Sequence, residues 1–132
     1  MKILRIDHLV LTVKDIGVTV AFYERILGLR HVIFEGQSHA LRFGSQKINL
    51  HQVGNEYRPH AAKPLPGAGD LCLISSGRVD DVIKKLKIEG VKVEHGPVPQ
   101  TGAAGTMISV YFRDPDENLI EVACYPRDCE FK

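Results

Sequence analysis

Cysteine is scarce in this chain of 132 residues: Cys72, Cys124 and Cys129 are an odd number and none of them forms a Cys-x-x-Cys pair. That excludes a zinc ribbon and a fully paired disulfide framework, and it fits reduced thiols, with Cys72 and Cys124 as small residues inside apolar runs. No apolar stretch approaches the length of a signal h-region or a membrane span, and Met1 leads directly into strand-like sequence. A cytoplasmic protein with no membrane partner is expected. An excess of one charge is also missing, since 17 Lys and Arg face 16 Asp and Glu for a net charge of +1. Nucleic-acid binding, which draws its affinity from clustered cations, has no support. The densest patch, Lys84-Lys85-Leu86-Lys87, reads as the solvated face of a helix. What remains is an ordinary globular composition, 44% hydrophobic and 25% charged, of one-domain length.

Residues 6–13 are β-branched and aliphatic and read as a strand. Asp15 can cap a helix in which Val18, Phe22, Ile26 and Leu29 fall on one face, ended by Gly28. Strands follow at 31–35, 40–44 and 47–52. Residues 53–69 carry Pro59, Pro64 and Pro66 among several glycines and show no apolar period, so they read as a linker, of the kind that covers or braces a site. After it come a strand at 70–75, a helix with Val79, Val82, Ile83 and Leu86 on one face and Gly90 at its end, a short strand at 91–94, a Pro- and Gly-rich loop at 96–105, and a hairpin of 107–112 with 118–125.

The two halves are therefore the same β-α-β-β-β unit twice. Superposing them aligns His8, at the head of the first strand of one half, with Asp70 in the other. Asn49, with His51 two residues on along the same face, aligns with Glu121. Glu121 lies inside an apolar run. A carboxylate there requires a cation, a buried ion pair for which Arg113 is the candidate, or an exposed face. Imidazole and carboxylate donors brought together by two pseudo-symmetric modules would suit a divalent ion with positions left for substrate.

Three stretches carry a family resemblance: Ile6-Asp7-His8-Leu9-Val10-Leu11, Phe22-Tyr23-Glu24-Arg25-Ile26-Leu27-Gly28-Leu29, and Phe112-Arg113-Asp114-Pro115-Asp116-Glu117-Asn118-Leu119-Ile120-Glu121. Over about residues 3–126 the chain resembles the glyoxalase, bleomycin-resistance and extradiol-dioxygenase (vicinal oxygen chelate) superfamily, and most of all its small glyoxalase-domain proteins. The resemblance implies an α+β fold, with two βαβββ modules (about 3–52 and 70–126, linker 53–69) forming a curved mixed sheet around a cleft in a single domain. It implies one divalent metal ion (Zn, Ni, Fe, Mn or Co) on His8, Asp70 and Glu121, with His51 or Asn49 at the fourth position. Asp70 departs from the histidine usual there. By the same resemblance Glu121 is catalytic, Asn49, Arg42, Phe43 and Tyr111 touch a small-molecule substrate, and the chain is a homodimer whose sites draw on both subunits.

The function so implied is that of a metal-dependent glyoxalase-like lyase or isomerase. A metal-free protein that sequesters a small molecule or drug, and an extradiol dioxygenase, are the alternatives on the same scaffold. The Arg113–Asn118 turn reads as a structural hairpin. His31, His39, His60 and His95 have no ligand spacing and read as surface residues.

Overall fold

Strand formers separated by one helix in each half build two four-stranded mixed sheets of identical plan. The computed structural model describes residues 1–127; Cys129, read above as a reduced thiol, lies outside the described residues. The chain divides into two compact units, Met1–Ala68 and Gly69–Lys132.

In the first unit, β1 (His8–Val13), α1 (Ile16–Leu27), β2 (Arg30–Phe34), β3 (Ser38–Phe43) and β4 (Gln46–Gln52) follow in order, and the strands lie β1-β4-β3-β2, with β1 parallel to β4 and the other pairs antiparallel. Asp15 caps α1 by accepting the Val18 N–H at 2.9 Å, and Gly28 closes it at φ 67°, a conformation glycine enters without steric cost. The buried face of the helix is Thr19, Val20, Phe22, Tyr23 and Ile26. The expected stripe began at Val18, which is instead 54% exposed, because it sits in the first turn beside its cap. Leu11, Val13, Leu41, Ile48 and Leu50 complete this core.

In the second unit, β5 (Asp70–Ile74), α2 (Val79–Ile88), β6 (His95–Gly102), β7 (Gly105–Arg113) and β8 (Leu119–Cys124) give the order β5-β8-β7-β6, again with the outer pair β5 and β8 parallel. Leu86 of α2 and Val110, Phe112, Ile120 and Val122 of the sheet are buried. The expected strand at 91–94 and loop at 96–105 are corrected: the strand is His95–Gly102 and contains Pro97 and Pro99. Proline is tolerated there because β6 is an edge strand bonded on one side only, so a missing N–H costs no ladder bond when it faces outward. Cys72, expected inside, is exposed.

The turn between β7 and β8 is held by its own side chains, as a structural hairpin should be. Asp114 accepts the N–H groups of Asp116 (2.9 Å) and Asn118 (3.0 Å) and the Asn118 amide (2.8 Å). Asn118 in turn accepts the Gly69 N–H at 2.6 Å, which fixes the entry to β5. Asp114, Asp116 and Asn118 of the turn are buried, and Glu117 between them is exposed.

Candidate active site

Side chains alternate across each sheet, so one face packs on the helix and the other is free to carry chemistry. In the first unit the free face holds His8, Val10 and Thr12 of β1 beside Lys47, Asn49 and His51 of β4, each opposite the other in parallel register. His8 heads its strand, its side chain 43% exposed, and its Nδ1 lies 2.8 Å from the Asp7 carboxylate. A carboxylate on one ring nitrogen fixes the tautomer and leaves Nε2 as the donor, which is how metal-ligating histidines are held. The Asp7 carboxyl is drawn below its usual range by the same bond.

Arg42 pairs with Lys47 across β3 and β4 and shares the face of His8, whereas Phe43, the next residue, turns to the helix side in register with Gln46. The structure therefore separates Phe43 from Asn49. His51 stands opposite Thr12, four residues along β1 from His8, which is about 13 Å at the usual rise per residue. Asn49 is two residues nearer.

His51 is 8% exposed and Tyr57 packs edge-on to its ring at 5.4 Å between centroids. Burial lowers its pKa and so favours the neutral imidazole. Its Nδ1 and the Asn49 Oδ1 are buried without a hydrogen-bond partner among the described residues. Both residues line a cavity of about 340 Å³.

In the second unit the free face is organised by Glu121. It sits in register with Cys72 of β5 on one side and Tyr111 of β7 on the other, and Asp70 is on the same face one alternation earlier, opposite Leu119. The buried Ser109 hydroxyl donates to Glu121 Oε2 at 2.6 Å. Desolvation, then the negative charge of Glu121 and a hydrogen bond to it, push the Cys72 thiol up to about 11. Desolvation followed by the same carboxylate raises Tyr111, while a hydrogen bond from Gln100 opposes the rise.

Arg113 is not the partner of Glu121. It grips Glu94 in a fork, Nε to Oε1 and Nη2 to Oε2 both at 2.9 Å, which lowers the Glu94 pKa. The ion-pair reading of Glu121 through Arg113 is thereby corrected.

Among the described residues no three His, Cys, Asp or Glu side chains converge as a metal-binding group. Two histidines read as isolated do meet: His31 Nε2 and His39 Nδ1 are 2.8 Å apart with their rings stacked. Ser109, Cys72, Gln100 and Tyr57 are contributors that the sequence reading missed as site residues. For Ser109 the signal was present, since alternation from Tyr111 puts it on the Glu121 face. Tyr57 lies in a segment without periodicity and gives no such signal.

A family model described as the Glyoxalase/Bleomycin resistance protein/Dioxygenase superfamily matches residues 5–122. The chain belongs to this superfamily. Within it, the virulence protein STM3117 of Salmonella typhimurium is 51% identical over 95% of this chain and 87% of its own length. The crystal structure of that protein superposes with a TM-score of 0.93 over 95% of this chain and 99% of the other. The glyoxalase domain-containing protein RDO1 of Mycosarcoma maydis is 47% identical over 95% of this chain and 70% of its own. A structure of lactoylglutathione lyase from Agrobacterium tumefaciens is more distant, with 27% identity and a TM-score of 0.69, covering 91% of this chain and 92% of that one. No helix among the described residues is long and apolar enough to cross a membrane.

Proposed function

We propose that this superfamily member is a divalent-metal-dependent glyoxalase-like enzyme, of the lyase or isomerase type, acting on a small oxygen-chelating substrate. The observation that carries the reading is the setting of Glu121: a part-buried carboxylate on the free face of its sheet, pinned through Oε2 by Ser109, aligned with Asp70, and with Arg113 committed to Glu94. The likeness to a lactoylglutathione lyase supports it.

The donor set fits a divalent ion. His8 keeps Nε2 open because Asp7 engages Nδ1, and Asp70 and Glu121 offer anionic oxygens. His8, Asp70 and Glu121 would hold the ion, which when bound supplies Lewis-acid polarisation of the substrate oxygens. His51, about 13 Å along the sheet from His8, is outside that set; Asn49 and Arg42 contact substrate from the first unit and Tyr111 from the second. Ser109 pins Oε2, Cys72 and Tyr111 also hydrogen-bond the carboxylate, and Glu121 moves the proton. Isomerising a hemithioacetal moves one proton from the sulfur-bearing carbon to its neighbour and the hydroxyl proton from the first carbon's oxygen to the second's, with no net oxidation, so one carboxylate suffices as base and then acid for the carbon-bound proton. The two modules act as one domain, and the protein works as a homodimer in the cytoplasm, His8 of one subunit completing the site of Asp70 and Glu121.

The test is elemental analysis of the protein beside His8→Ala and Glu121→Ala after reconstitution with Zn, Ni, Fe, Mn and Co, followed by turnover of the hemithioacetal of methylglyoxal and glutathione. Near-stoichiometric metal in the parent, lost in both variants, with turnover reduced about a thousandfold or more in Glu121→Ala, is expected. A parent that takes up no metal overturns the reading and leaves a sequestering protein.

A further inference from the structure

The cavity of the first unit is built from Phe34, Ser38, Asn49, His51, Tyr57 and Arg58, all within one compact unit. Its inner wall carries two buried polar atoms with no partner among the described residues, Asn49 Oδ1 and His51 Nδ1. They are two residues apart on one strand, so they present to the same side. Proteins rarely leave such atoms unpaired, and a bound group that satisfies them recovers the desolvation cost. The amide oxygen accepts only, and a neutral imidazole accepts at whichever nitrogen lacks the proton. Burial favours the neutral form of His51.

Among the described residues that line the cavity none carries a buried charge. Glu35 and Arg58, one of each sign, lie at the cavity and are both exposed, so a charged group carried inside would find no desolvated counterion. Phe34 and Tyr57 supply flat apolar surface, one face of the Phe34 ring being met by the Lys47 ammonium at 3.7 Å, and the Tyr57 hydroxyl already donates to the Gln37 carbonyl at 3.3 Å.

We infer that this cavity binds an uncharged planar molecule that presents hydroxyl or N–H donors from one edge, the donors meeting Asn49 Oδ1 and His51 Nδ1 and the flat body lying against Phe34 and Tyr57. The inference shares Asn49 with the function proposed above, but it needs no metal.

The experiment uses the whole chain kept in chelator, so its failure is separate from failure of the metal reading. Resorcinol and 1,3-dimethoxybenzene, the same ring with and without donors, are titrated by calorimetry and by the imidazole resonances of His51. Saturable binding of resorcinol, at least tenfold weaker for the dimethyl ether, with a shift at His51, is expected. In Asn49→Leu, which keeps the side-chain size, resorcinol should fall to the affinity of the ether. Equal affinities of the two probes in the parent, or no binding of either because water satisfies both atoms, would overturn the inference. The comparison of probes on the unmodified chain stands whether or not the variant folds.

Discussion

The two modules have one plan and opposite states of satisfaction. Each has a helix, a parallel outer pair and two antiparallel neighbours, and each places a polar residue at the same point on the strand next to the edge. In the second module that residue, Glu121, is met by a buried hydroxyl and flanked by a thiol and a phenol. In the first, Asn49 and His51 carry buried atoms with no partner among the described residues, beside a cavity. Duplication fixes where side chains stand; what neighbours them decides whether a polar residue is structural support or a docking point.

The modules differ in support as well. α1 is capped by a side chain and buries five residues, whereas α2 has no side-chain cap bond and buries only Leu86, leaving more of its stabilisation to Asp80 and Asp81 in its first turn. The second module compensates through the clasp of Asp114 and Asn118.

Five outcomes would break or sharpen this contrast. Truncating the fully buried ring in either module, Tyr23→Ala or Phe112→Ala, should cost about 3–5 kcal/mol in urea unfolding; a large inequality would show that one core dominates. Asp114→Ala leaves three donors unanswered in a buried turn and should cost about 3 kcal/mol, with no counterpart in the first module. Cys72 should react slowly with disulfide reagents at pH 8, since its thiol is held up at about 11. In Glu121→Gln the rate should rise about tenfold, while the desolvation that is the larger cause persists. Because that thiol keeps its proton longer when folded, its contribution to stability should be lost as pH rises from about 9 to about 11.

Asp15→Ala should cost about 1 kcal/mol, and Arg78→Ala, at the α2 cap position but without a cap bond, under about 0.5 kcal/mol. Smallest is the pH response of His51. Its folded pKa lies below the usual 6.5, so the stability it gives the neutral form is present above that value and fades as pH falls through it. The denaturation midpoint of the parent should drop more between pH 7 and pH 5 than that of His51→Gln.

Much of the frame was legible because periodicity and turn chemistry are local: the Asp15 cap, the Gly28 stop, the hairpin at Asp114 and the repeat all follow from spacing. The edge strand with Pro97 and Pro99 was hidden, since proline reads as loop unless one knows that the strand has a neighbour on one side only. Register-dependent partners were hidden for a similar reason. Arg113 on Glu94, just ahead of β6, and His31 on His39 across β2 and β3 are meetings that no spacing along the chain announces. The free face carrying Glu121 could be assigned from alternation; the emptiness beside Asn49 could not, because a cavity is a property of packing.

Pro97 and Pro99 also bear on how the chain behaves in a crowded cell before it is fully folded. An outermost strand with a full row of N–H groups is a template on which another chain can lay itself and begin a fibre. With two of those donors removed, β6 offers an interrupted template, and growth of the second sheet in that direction is discouraged from the moment the strand forms.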